Sequence, residues 1–207
     1  MQVVSGPIGR QKVHYEAPAP EQLEAEMAKR GIQFHDIGHG WTTDAFGIDS
    51  SRRYDAKDPT KNSRSLTPEQ RECLAMIDGV RELQGDTPNY TQCCMGPEKN
   101  RAAIVKCVCD YAENHTNADY LHVWLGDAMN KHCECEVCKR KPTSDWYAIL
   151  LNQIDEELTR RRLETRIVFC AYSDTMWAPE TVTLKNPKRF AMLFAPSGRR
   201  FSIPLSA

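Results

Sequence analysis

Tyr120-Leu121-His122-Val123-Trp124-Leu125-Gly126-Asp127-Ala128-Met129-Asn130 sets the fold class. Apolar, β-branched and aromatic residues run up to a Gly-Asp step, the pattern of a short buried strand that ends in a turn. Ile32 to Ile37, Arg166 to Tyr172 and Phe190 to Ala195 share that character, and Val3-Val4-Ser5-Gly6 is a weaker fifth candidate. Helical patterns rather than hairpin turns separate these runs, which predicts crossover connections and a parallel sheet.

The helices have start and stop signals. Pro20-Glu21-Gln22 opens one that carries Leu23 and Met27 before Gly31 ends it. Thr67-Pro68-Glu69-Gln70 supplies a capping residue, a first-turn Pro and a Gln at the third position, predicting a helix through Met76. From Pro97 to about Asn114, Ile104, Val108 and Tyr111 share one face; from Ser144 to about Arg162, Trp146, Leu150, Ile154 and Leu158 do so. Residues 42–66 are polar and read as an inserted loop, of the kind in which barrels build their sites.

The chain has 207 residues. A closed eightfold barrel typically needs about 250 residues. The α/β reading is therefore a single domain that forms part of a (β/α)8 TIM-type barrel, with four or five parallel strands and outer helices. An open sheet of that kind leaves two unpaired edges, so self-association is expected, with Phe190 to Ala195 at or near an edge.

Charge narrows the partners. With 27 Lys+Arg against 28 Asp+Glu, no general attraction draws nucleic acid or anionic membrane. The basic run Lys139-Arg140-Lys141 is short and reads as a solvated loop. No stretch approaches the roughly 18 apolar residues of a membrane span, and the N-terminus lacks a signal-peptide pattern, so a cytoplasmic location is expected. The odd count of nine cysteines opposes a fully paired disulfide framework and favours free thiols or metal ligands.

Four constellations carry chemistry. His35, Asp36, His39 and Trp41 leave one strand and offer the hydrogen-bonding and stacking groups of a sugar cleft, although strand-edge and packing roles fit equally. Asp127 stands at the mouth of the second strand, where parallel folds bind ligands; a loop-capping role is the plainer reading. Cys133, Cys135 and Cys138 form a Cys-x-Cys-x-x-Cys run able to converge on a structural zinc, with His132 or Cys93 to complete it, and no other cofactor is called for. Reduced structural cysteines would leave the same spacing. Finally, Tyr172, Asp174 and Trp177 follow a third strand and bring a second carboxylate, as a two-carboxylate glycosidic mechanism requires.

Taken in order along the chain, Gly38-His39-Gly40-Trp41, Ala75 through Arg81, Asn89-Tyr90-Thr91-Gln92-Cys93, Ala118 through Asp127, the cysteine run, Ser144-Asp145-Trp146-Tyr147, Ala171-Tyr172 and Phe194-Ala195-Pro196 form a pattern. It resembles a bacterial family of glycoside-hydrolase-like barrels, a domain of unknown function that is distantly similar to α-glucuronidases and hexosaminidases. The resemblance covers His14 to Pro196 and is lost in a divergent tail, 197–207, so the chain looks like a fragment of that family. It implies a carbohydrate-active protein with Asp127 and Asp174 as acid/base candidates. His35, His39, Trp41, Tyr172 and Trp177 would contact the sugar. It also makes Cys93 the fourth partner of the cysteine run, while Gly96 stands where Asn is usual. A catalytically silent sugar- or zinc-binding domain, or an inactive fragment, is the alternative.

Overall fold

Five parallel strands lie side by side in the order in which they occur along the chain: β1 (Val3–Ser5), β2 (Phe34–Gly38), β5 (Tyr120–Val123), β6 (Arg166–Tyr172) and β7 (Phe190–Ala195). The structure is a computed structural model that describes residues 3–5, 20–51, 65–129, 131–196 and 202. Most of the expected inserted loop, 52–64, and nearly all of the tail fall outside the described residues.

Side chains alternate across the sheet. One face carries Asp36, Leu121, Val123, Ile167, Phe169 and Phe190, and against it pack α4 (Glu98–Asn114) and α5 (Thr143–Arg160). Their stripes are those the 3.6-residue period predicts: Ile104 and Val108 on α4, and Leu150, Ile154 and Leu158 on α5, are all 0–1 % exposed. The other face presents His35, Tyr120, His122 and Val168, also buried.

α1 (Pro20–Lys29) precedes β2. The stretch after β2 is a long excursion rather than one crossover helix. It holds a short α2 (Trp41–Asp44), then α3 (Pro68–Cys73), then a hairpin of β3 (Met76–Ile77) and β4 (Val80–Arg81). The Thr67–Gln70 capping box forms in both directions. The helix it starts ends at Cys73 instead of continuing through Met76. Leu74 turns extended and pairs with Cys93, and the Ala75 and Cys94 amides donate to Gln92 and Cys73 carbonyls. Long-range pairing there satisfies the backbone as well as another helical turn would.

The connection from β6 to β7 is tied to α5. Fully buried Asp145 accepts from the amides of Glu180 and Thr181 and from the Thr181 hydroxyl, and Asn152 bonds Thr183 and Lys185. Arg189, its side chain 10 % exposed, pairs with Asp155 at 2.7 Å and donates to the Leu163 and Thr165 carbonyls. β7 is one of the two edge strands, as expected, with Met192, Leu193 and Phe194 exposed. Among the described residues no helix is long and apolar enough to cross a membrane.

Candidate metal centre and adjoining cleft

Because the strands are parallel, their carboxyl ends open on one side of the sheet, and two excursions meet there. One, after β2, brings Cys94; the other, after β5, brings Cys133, Cys135 and Cys138. The four sulfurs lie within 4.8 Å of one another. Cys94 Sγ is 3.6 Å from Cys135 Sγ and 3.8 Å from Cys138 Sγ. A disulfide would need about 2.05 Å. Sulfurs at the corners of a tetrahedron about 2.3 Å from zinc lie about 3.8 Å apart, so this donor set fits that ion in both chemistry and spacing.

The expected fourth partner, Cys93, is replaced by its neighbour. Residues 93–94 are extended, so successive side chains point to opposite sides. Cys93 turns into the main core, 2 % exposed, with its thiol 3.7 Å from Met95 Sδ, and burial pushes that thiol far up. Cys94 turns toward the cysteine run. His132, the other candidate, points away and pairs with Asp174.

The surroundings favour a thiolate at Cys133 and Cys135 but not at Cys94 and Cys138. The thiols of Cys138 and Cys94 donate to Cys133, and the Met76 amide adds a 3.3 Å contact; together these hold Cys133 far below the usual thiol range. The same exchange with Cys133, then with Cys94, moves the Cys138 thiol up. The Gly96 amide lies 3.2 Å from Cys138 Sγ and the Arg81 guanidinium 3.9 Å from Cys133 Sγ. A Cβ at Gly96 would stand 2.7 Å from Val137 and 3.3 Å from Cys138 Sγ. A residue with a side chain there needs the Val137 turn to move.

Beside the centre is a shallow cleft with a cavity volume of about 40 Å³, lined by His39, Trp124, Asp127, Cys170, Tyr172 and Asp174 among others. A second hollow of about 20 Å³ shares Gln92, Leu125 and Thr143 with it and reaches Cys133 and Cys138. His39 donates from Nδ1 to the Leu125 carbonyl at 3.0 Å, which fixes its tautomer, and meets Trp124 edge-on. Asp174 follows Ser173, whose φ of +50° is uncommon outside glycine and turns the chain sharply out of β6. The Thr175 hydroxyl, bonded to Cys170 and Tyr172, locks that turn. Burial, then the charge of Asp127, pushes the Cys170 thiol up to about 11.

Of the residues expected to supply acid/base chemistry or contact the sugar, His39, Asp127, Tyr172 and Asp174 therefore meet in one cleft. Three do not. His35 lies on the buried sheet face, stacked on Tyr120 at 4.3 Å and bonded to His122. Trp41 is packed in the core with its Nε1 on the His122 carbonyl. Trp177 is 80 % exposed at a separate apolar groove beside β7. In their place the cleft has Trp124 and Gln92. Trp124 was legible as the last aromatic of its strand; Gln92 lies in the Asn89–Cys93 segment of the resemblance, which assigned it no role. No family model matches the chain, and comparison with curated proteins gives no match.

Proposed function

We propose that this chain is part of a glycoside-hydrolase-like (β/α)8 barrel that binds carbohydrate in the cleft at the carboxyl ends of β2, β5 and β6. The observation that carries the reading is the convergence of two carboxylates, Asp127 and Asp174, with His39, Tyr172 and Trp124 on one cleft. Carboxylates, an imidazole and aromatic faces are the groups that hydrogen-bond and stack against a sugar. Sequential parallel strands with helices on one face support the barrel reading. In it, Asp127 protonates the leaving oxygen and Asp174 serves as the second carboxylate.

The four cysteines would hold a structural zinc. Bound there it supplies cross-links rather than chemistry, since four thiolates leave no open position. Reduced thiols suit a cytoplasmic setting. The uncharged β7 edge supports association between copies.

A panel of aryl glycosides and uronides, with glycan binding measured by calorimetry, tests the reading. The native chain should bind or turn over at least one glycan, and Asp127→Asn should abolish turnover while retaining binding. Turnover unchanged in the variant removes Asp127 from its role. Neither binding nor turnover across the panel rejects the carbohydrate reading.

A further inference from the structure

We propose that the four-cysteine centre braces both cleft carboxylates, through Gln92 and His132 as positioning residues. The proposal rests on reading the cleft as a ligand site.

The first arm runs from Cys94. Two residues earlier, the buried Gln92 side chain receives the Gly126 amide at 3.0 Å and donates to the Gly126 carbonyl at 2.7 Å. One side-chain amide thus satisfies both backbone groups of the residue before Asp127. The Asp127 amide itself donates to the Asn89 carbonyl at 2.7 Å. Contact is close enough that a Cβ on Gly126 would fall 2.8 Å from the Thr91 carbonyl carbon and oxygen. The turn that presents Asp127 is therefore seated on residues 89–92, and two residues further on the chain reaches Cys94 of the centre.

The second arm runs from Cys133. Its neighbour His132 donates from Nδ1 to Asp174 Oδ2 at 3.3 Å. An exposed histidine on a loop makes a weak contact by itself, because ordering the loop costs conformational entropy. Anchoring the adjacent residue removes much of that cost.

Besides the thiols, few bonds join the two excursions at the centre among the described residues: Glu134 amide to Met76 carbonyl, Asp78 amide to the Glu134 carboxylate, the two amide-to-sulfur contacts and the Arg81 guanidinium to Cys133 sulfur. Occupancy of the centre by a divalent ion is then what keeps 89–94 and 132–138 in register, and with them both carboxylates.

Amide hydrogen exchange tests this on the full chain, zinc-loaded and after chelation under reducing conditions. On zinc removal the Gly126 and Asp127 amides should exchange at least about tenfold faster, the effect of losing one or two hydrogen bonds, while amides of α4 and α5 keep their protection. Gln92→Leu should keep one zinc per chain and show the same fast exchange at Gly126. The 13C shift of the Asp174 carboxylate should move to the same value on chelation and in His132→Ala. Unchanged protection at Gly126 and Asp127 after chelation overturns the brace, and so does parallel loss of protection in α4 and α5, since the metal would then hold the whole fold. Glycans play no part in these readouts. A brace without glycan binding refutes the carbohydrate reading alone; glycan binding indifferent to zinc removal refutes the brace alone.

Discussion

Acidification should destabilise this protein through a buried pair of histidines, well before its carboxylates titrate. His35 and His122 sit on adjacent strands, 5 % and 4 % exposed, with His35 Nδ1 and His122 Nε2 3.0 Å apart. His35 Nε2 and His122 Nδ1 have no hydrogen-bond partner among the described residues. Burial, then the neighbouring His35, lowers His122 from 6.5 to about 4, and burial lowers His35 in the same direction. A histidine with a depressed folded pKa binds its proton more readily when unfolded, so stability is present above about 6.5 and is lost as pH falls toward 4. For His122 alone, the linkage relation gives a loss of about 1.8 kcal/mol between pH 7 and pH 5, rising to about 3 kcal/mol by pH 4. Urea unfolding of the native chain and of His122→Gln at pH 7 and pH 5 isolates the effect, because metal release and other titrations are common to both proteins. Stability of the variant should fall by about 1.8 kcal/mol less than that of the native chain over that interval. Equal falls in the two proteins, or a smaller fall in the native chain, would refute the assignment.

The other predictions concern the centre and the edge. Cys94→Ser should abolish stoichiometric zinc binding and Cys93→Ser should leave it intact; metal analysis and the thiolate charge-transfer bands of the cobalt-substituted protein report both. Phe194→Lys, placed on the exposed apolar face of β7, should shift a concentration-dependent oligomer toward monomer in sedimentation experiments, with little change in unfolding free energy because the site is 47 % exposed.

Strands and long helices were legible because their signals are local and repetitive. β5, β6 and β7 match apolar runs bounded by turn residues, and α4 and α5 match the 3.6-residue stripe. The Thr67 capping box was equally plain. What the sequence hid was settled by distant partners. The end of α3 depends on Leu74 finding Cys93, and the hairpin after it depends on the same docking. The choice between Cys93 and Cys94 turns on a one-residue alternation that sequence can reveal only once the segment is known to be extended. Trp41 leaves a Gly-rich turn as a stacking residue would, yet its ring closes the core over Tyr111 at 5.4 Å. Gln92 lies in a segment that the resemblance covers, but its place beside Asp127 comes from the two Gly126 backbone groups it meets.

The strand order has a consequence for how the chain folds. Val168 pairs with Ala191, 23 residues on; His122 pairs with Val168, 46 residues on; Ile37 pairs with His122 across 85 residues. Loop-closure entropy grows as the logarithm of that separation, so the β2–β5 pairing costs about 1 kcal/mol more to close than β6–β7. β6 and β7 can therefore zip at low cost, as can β1 and β2, whose Val3–Phe34 pairing spans 31 residues, and the β2–β5 pairing closes last. A chain leaving the ribosome exposes β2 early, so the edge of β2 that will meet β5 must wait, unpaired, for the whole excursion and α4 to follow it out, with only the three residues of β1 on its other side. In that interval the segment most in need of protection is not the exposed edge of the finished sheet but Phe34–Gly38, a strand that ends up flanked on both sides.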